Sequence, residues 1–153
     1  MSTTNVLVVD DDIEICRILH RMLSKQQYKV QTSQSVADAL AAVEQKPFDV
    51  YVMDYKLPDG SGLDVAERIR SKGSAAPIIL ISGYDVSSFA LRAEKLRISD
   101  FLKKPFSQEI VCSALKEAIR SSKEASELSQ VDSPVSPVAS KRTRFRFWPR
   151  LRT

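Results

Sequence analysis

Two apolar periods alternate between residues 5 and 121. Short continuous apolar runs, most of them rich in β-branched or aromatic residues, are separated by longer stretches in which apolar positions recur every three or four residues. This alternation predicts β/α units built on a parallel sheet, and five units are counted. The strand candidates are Val6 to Val9, Tyr28 to Thr32, Val50 to Met53, Ile78 to Ile81 and Ser99 to Leu102. Their near-continuous apolarity predicts strands covered on both faces.

The first helix presents Ile15, Ile18, Leu19, Met22 and Leu23 as one buried stripe and leaves His20 outside it. The second opens on a capping pattern, Ser35 to Asp38, and stops at Pro47. The third follows the turn-forming cluster Pro58-Asp59-Gly60-Ser61-Gly62. A fourth, Val86 to Leu96, is diluted by Ser87 and Ser88, whereas the fifth repeats cleanly through Ile110, Val111, Ala114, Leu115, Ala118 and Ile119. After Ser121 the period fades, and residues 129 to 140 hold Pro134, Pro137 and four serines. The expected division is a domain over 1–121, an unfolded Ser/Pro linker over 122–140 and a basic aromatic tail over 141–153.

Composition adds limits. A chain of 153 residues, 43% hydrophobic and 27% charged, fits one globular domain with a short extension. The apolar run Val6 to Val9 meets Asp10-Asp11-Asp12 at once, so no secretory h-region and no span of about 20 apolar residues is present. The chain reads as soluble and cytoplasmic. Its net charge of +4 conceals two parts: Lys141, Arg142, Arg144, Arg146, Arg150 and Arg152 stand without an acid in the tail, and removing those six leaves −2 over the first 140 residues. Cys16 and Cys112 lack a Cys-x-x-Cys spacing and fall in helical patterns, where reduced, half-buried thiols are expected.

In an open parallel α/β sheet, ligands bind at the carboxyl ends of the strands, where strand order reverses. The polar residues fall at those ends: Asp10 and Asp11 after the first strand, Asp54 after the third, Ser82 after the fourth, Lys104 after the fifth. Their types suit acyl-phosphate chemistry. Asp11 and Asp54 can ligate Mg²⁺ directly, Asp10 can act through water, and the Lys56 carbonyl can complete the protein's share of an octahedral oxygen set. Close carboxylates repel, and a cation relieves them. Asp54 can then attack a phosphoryl group as a carboxylate nucleophile while Lys104 neutralises its oxygens and Ser82 donates a hydrogen bond.

Four stretches resemble the signatures of the response regulator receiver family, in its order and spacing: Val6-Leu-Val-Val-Asp-Asp-Asp12, Val52-Met-Asp-Tyr-Lys-Leu-Pro-Asp-Gly-Ser-Gly62, Ile79-Leu-Ile-Ser-Gly83 and Asp100-Phe-Leu-Lys-Lys-Pro-Phe106. The resemblance covers roughly Asn5 to Ser121. It implies a flavodoxin-like (βα)5 fold with strand order 2-1-3-4-5, as in the chemotaxis receiver. By position it implies Asp54 as phosphoacceptor, Asp10 and Asp11 as metal-binding acids, Ser82 as switch hydroxyl, Lys104 as phosphate-sensing lysine and Phe101 as a rotating aromatic that turns inward on phosphorylation. It also implies a sensor histidine kinase or phosphotransfer protein as donor, and a downstream protein docking on the face of the fourth helix, fifth strand and fifth helix. In place of the family's usual Gly-Ala pair before the fifth strand stands Arg97-Ile98, so the left-handed helix stop is expected to be made differently.

Two rivals compete with a self-modifying signalling switch that is not a turnover enzyme. Asp10-x-Asp12 after an apolar strand also matches the nucleophile motif of haloacid-dehalogenase-type phosphatases, with Ser82 as their second motif. The other is an interaction module working mainly through its tail. No DNA-binding domain is expected, because the short Ser-, Pro- and Arg-rich stretch after residue 121 cannot bury a core. In the tail, Arg142, Arg144 and Arg146 alternate with Thr143, Phe145 and Phe147 ahead of Trp148, and Pro149 opposes a helix. That pattern predicts an extended strip for an anionic surface, whether lipid, nucleic acid or an acidic protein.

Overall fold

The computed structural model describes residues 2–130. Five parallel strands form the central sheet: β1 (Asn5–Val9), β2 (Lys29–Ser33), β3 (Val50–Asp54), β6 (Ile78–Ser82) and β7 (Asp100–Lys103), in the order β2-β1-β3-β6-β7. That is the expected 2-1-3-4-5 once a small hairpin, β4 (Lys56–Leu57) with β5 (Gly60–Ser61), is set aside. Residue alternation within each strand splits the core in two. Leu7 and Val9 of β1 face a cluster shared with α2 (Val36–Gln45), α3 (Gly62–Ser71) and α4 (Ala90–Lys95), whereas Val6 and Val8 face α1 (Ile13–Lys25) and α5 (Gln108–Gln130). β3 is buried along its whole length, so the sheet centre is dry and its carboxyl end is the place where polar groups collect.

Several local readings change. Ile18 is 57% exposed. The buried stripe of α1 runs instead through Cys16, Leu19, Met22 and Leu23, with Cys16 Sγ donating to the Asp10 carbonyl at 3.2 Å. His20 is exposed, as read. The fourth helix is broken: a 3₁₀ turn, Val86–Ser88, precedes α4, and Phe89 separates them. Asp85 accepts from Ser87 N, and Ser88 Oγ donates to the Asp85 carbonyl; such local bonds compete with helix propagation.

At the other end of α4 the left-handed stop is kept by an ordinary residue. Arg97 has φ of 55°, and Ile98 N donates to the Ala93 carbonyl at 3.1 Å. The Arg70 guanidinium gathers the exposed carbonyls there, donating to Leu96 O at 2.8 Å and Arg97 O at 3.1 Å.

Helix α5 also corrects the expected domain boundary, since residues 122–130 are helical rather than linker. Arg120 bridges Glu117 and Glu124 across that junction, and Ala125, Glu127, Leu128 and Gln130 beyond it are good helix formers. The tail, with Arg142, Arg144, Arg146 and Trp148, and the rest of the expected linker lie outside the described residues. Among the described residues no helix is long and apolar enough to cross a membrane.

Candidate functional site

The carboxyl ends of β1, β3 and β7 bring three of the expected residues into contact. Lys104 Nζ lies 3.0 Å from Asp54 Oδ2 and 3.1 Å from Asp10 Oδ2. Asp10 is 1% exposed and Asp54 7%. The other Asp10 oxygen accepts from Asp12 N at 2.9 Å, so the β1–α1 turn is organised around this carboxylate. Asp12 caps α1 by accepting from Glu14 N and Ile15 N. That leaves Asp11 exposed at the rim.

Burial dominates the electrostatics. It raises the Asp10 carboxyl above the ordinary value against the lowering effect of the Asp12 amide and of Lys104. It raises Asp54 likewise, against the hydrogen bond from Lys104. Burial pushes the Lys104 ammonium down, but the Asp54 hydrogen bond and the two carboxylate charges together carry it above its usual value. Cys16, beneath Asp10, is pushed up to about 11 by burial and by the neighbouring acids, and is therefore a thiol at neutral pH.

Asp11, Asp54, Lys56, Leu57, Pro58, Gly83, Tyr84 and Lys104 line a cleft of about 310 Å³. Ser82 is close by but turned away: its Oγ accepts from Tyr84 N at 2.9 Å and the residue is 3% exposed. The Lys56 ammonium donates to the Tyr84 hydroxyl at the cleft. Phe101 is 4% exposed, and its ring lies in the core cluster beneath α4. It is covered by Phe89, 5.7 Å away between ring centres.

The carboxylates suit a hard divalent cation. Asp10, Asp11 and Asp54 each present an oxygen, all within 4.8 Å of one another. Asp10 Oδ2 is buried and, apart from the ion pair to Lys104, makes no hydrogen bond. Three carboxylates facing one ammonium leave two negative charges uncompensated, which a divalent ion would balance. The phosphatase rival fits poorly: its nucleophile, Asp10, does not line the cleft, whereas Asp54 does.

With this geometry in place, the sequence comparison decides the family. A family model for the response regulator receiver domain matches residues 6–116. The chain belongs to that family. It is 33% identical to the acid tolerance regulatory protein ActR of Rhizobium meliloti over 141 residues, which cover 92% of this chain and 69% of ActR. It is 37% identical to the transcriptional regulatory protein KdpE of Mycobacterium tuberculosis over 127 residues, covering 83% of this chain and 56% of KdpE. The receiver domain of HemR from Leptospira biflexa, solved non-phosphorylated, superposes with a TM-score of 0.71 at 28% identity, over 76% of this chain and 94% of that one. A CheY-like receiver from Methanospirillum hungatei, at 22% identity and a TM-score of 0.77 over 81% of this chain and 99% of that one, shares the fold. This receiver domain therefore serves phosphorylation-dependent response regulator signalling, a setting that implies a histidine kinase or phosphotransfer partner.

Structural features absent from the sequence reading surround the site. Asp59, at the tip of the β4–β5 hairpin, accepts from Val36 N at 2.8 Å and Ala37 N at 2.9 Å, capping α2 from outside it. Asp64 closes a reciprocal capping box with Ser61. Gly62 starts α3 against β3: a Cβ there would lie 2.5 Å from the Asp54 backbone oxygen. The Pro-Asp-Gly-Ser-Gly cluster was the available signal, but its composition says only that a turn is present.

Proposed function

We propose that Asp54 is the phosphoacceptor of a switch that changes partner binding. The observation that carries this reading is the Asp54 carboxylate: it ends the central strand, faces the cleft and is held 3.0 Å from the Lys104 ammonium. An Asp54 oxygen attacks phosphorus while the bond to the donor, a histidine nitrogen or an acyl oxygen, breaks. The result is an acyl phosphate on Asp54 and a donor released with its electron pair. Lys104 holds charge on the transferred oxygens. Asp11 and Asp54 would hold Mg²⁺ directly, with Asp10 behind them and the Lys56 carbonyl beside them; when bound, the ion supplies charge neutralisation for incoming phosphate. Ser82 releases the Tyr84 amide and donates to the phosphoryl group.

The domain modifies itself and does not turn over a substrate, and a downstream protein reads the face of α4, β7 and α5. A cytoplasmic location fits a donor kinase of this class. The basic aromatic tail over 141–153, joined through residues 131–140, is proposed to bind an anionic surface of lipid, nucleic acid or acidic protein. Incubation with acetyl phosphate and Mg²⁺, read by intact mass, tests the central claim. Wild type gains one phosphoryl group and Asp54→Ala gains none; labelling of the variant would overturn the assignment.

A further inference from the structure

An aromatic row runs from the cleft to the α4 side of the sheet. The Tyr55 ring stacks on Phe89 at 3.9 Å between centres and 17° between planes, Tyr84 meets Tyr55 edge-on at 6.3 Å, and Phe89 lies against Phe101 at 5.7 Å. Tyr55 follows Asp54 in the chain. Phe89 is 6% exposed and sits where the 3₁₀ turn ends and α4 begins, a junction at which α4 has no side-chain cap. This six-residue helix is too short to hold itself. Two side-chain ties join α4 to α3: Arg70 holds its C-terminal end through the Leu96 and Arg97 carbonyls, and near its start Arg92 pairs with Asp64 at 2.7 Å and Glu67 at 2.9 Å, exposed ion pairs of a kind that contributes little.

From this arrangement we infer that Phe89 is a positioning residue: its stack on Tyr55, with Phe101 packed beneath it, latches the β6–α4 segment in the resting arrangement. The inference rests on Asp54 as phosphoacceptor and on Ser82 as the hydroxyl that must reach the phosphoryl group. Ser82 Oγ accepts from the Tyr84 amide at 2.9 Å and donates to the Tyr84 carbonyl at 3.4 Å, so the hydroxyl is held to the loop that Phe89 ends, and turning it to the cleft breaks both bonds. Because Phe89 anchors the far end of that stretch on the residue next to Asp54, leaving the stack and freeing Ser82 are parts of one motion. A latch that favours the resting state opposes phosphoryl binding by its own share of the opening equilibrium.

The test uses the full chain with Phe89→Leu and, at the half-buried partner, Tyr55→Leu. Amide hydrogen exchange is followed without ligand, and affinity is measured for beryllium fluoride with Mg²⁺ as the phosphate mimic. For each variant, amides of 83–98 should exchange about two- to tenfold faster, the scale of one aromatic pair, while β1 and β3 amides keep their wild-type rates. The mimic should bind tighter by a similar factor, and the double variant should add little to either single one. General damage would weaken mimic binding, so a gain separates latching from packing. If β1 and β3 also exchange faster in Phe89→Leu, the leucine has damaged the fold and Tyr55→Leu decides. Unchanged or weaker mimic binding in Tyr55→Leu, with acetyl phosphate labelling intact, would overturn the latch alone. Failure of wild type to label would overturn the Asp54 reading and the latch with it.

Discussion

Lys56 Nζ donates to Tyr84 Oη at 3.1 Å, and the ammonium also lies 5.5 Å from the centre of the Tyr84 ring. The two residues stand two positions after Asp54 and Ser82 and close one rim of the cleft. Water attacking an acyl phosphate on Asp54 would have to pass them. Removing both side chains in Lys56→Ala, Tyr84→Ala should speed spontaneous loss of the phosphoryl group on the order of two- to tenfold, about the net worth of one such contact. Decay of the labelled mass after removal of acetyl phosphate measures it, and an unchanged half-life would reject the shield.

Asp54 should be a burden on the metal-free fold. Burial, with the charges of Asp10 and Asp11, raises its carboxyl above the ordinary value, so ionising it costs more in the folded state than in the unfolded chain. Asp54→Asn is therefore expected to raise the melting temperature in EDTA at pH 7. Added Mg²⁺ should stabilise wild type more than the variant. Equal Mg²⁺ shifts in the two proteins would contradict the proposed ligand set.

Asp59 provides a pH dependence of opposite sign. Its carboxyl is held below the ordinary value by the Ala37 and Val36 amides. A depressed folded value means that the stabilisation is present above the unfolded value of about 3.9 and is lost as pH falls through the folded value. The stability difference between wild type and Asp59→Asn should be full at pH 6 and shrink below about pH 4. Urea denaturation at a series of pH values reads this directly, and a difference independent of pH would refute it.

At the close of α4, Arg97 occupies a left-handed conformation that glycine adopts without penalty. Arg97→Gly should leave the fold intact and raise stability by about 0.5–1 kcal/mol, the relief at φ of 55° outweighing the entropy glycine adds to the unfolded chain. The Arg70 bonds to Leu96 O and Arg97 O involve backbone and survive the change. Chemical denaturation would detect the gain.

Gly62→Ala should act in the other direction. The new Cβ would meet the Asp54 backbone oxygen at 2.5 Å, with Leu80 and Met53 side chains at 3.2 Å. Backbone cannot yield as a side chain does, so a loss of about 1–3 kcal/mol is expected, together with slower labelling as the end of β3 shifts. Thermal unfolding and labelling rate check the two effects.

The order of elements and the residues at the carboxyl ends of the strands were legible from the chain alone, whereas the strand order came from the resemblance to the receiver family. The first two depend on local periodicity or on a short motif: the apolar runs of β1, β3 and β6, and the side chains that follow them, are contiguous in sequence. Helix ends were less legible. The break at Phe89 follows Asp85 and two serines competing for backbone groups, and α5 runs on to Gln130 past Arg120, whose pairs with Glu117 and Glu124 span the expected boundary. What only the tertiary structure decided is which partner each of these residues takes. Lys104 was expected near Asp54, but its second ion pair, to Asp10, was not, and Asp59 is 23 residues from the Val36 amide it caps, a separation over which no period or motif encodes a contact. Ser82 bonded to Tyr84 and Phe89 stacked on Tyr55 follow from how α4 settles against the sheet. Their positions come from packing, where the shape of the remaining space selects the rotamer and sequence pattern carries no record of it.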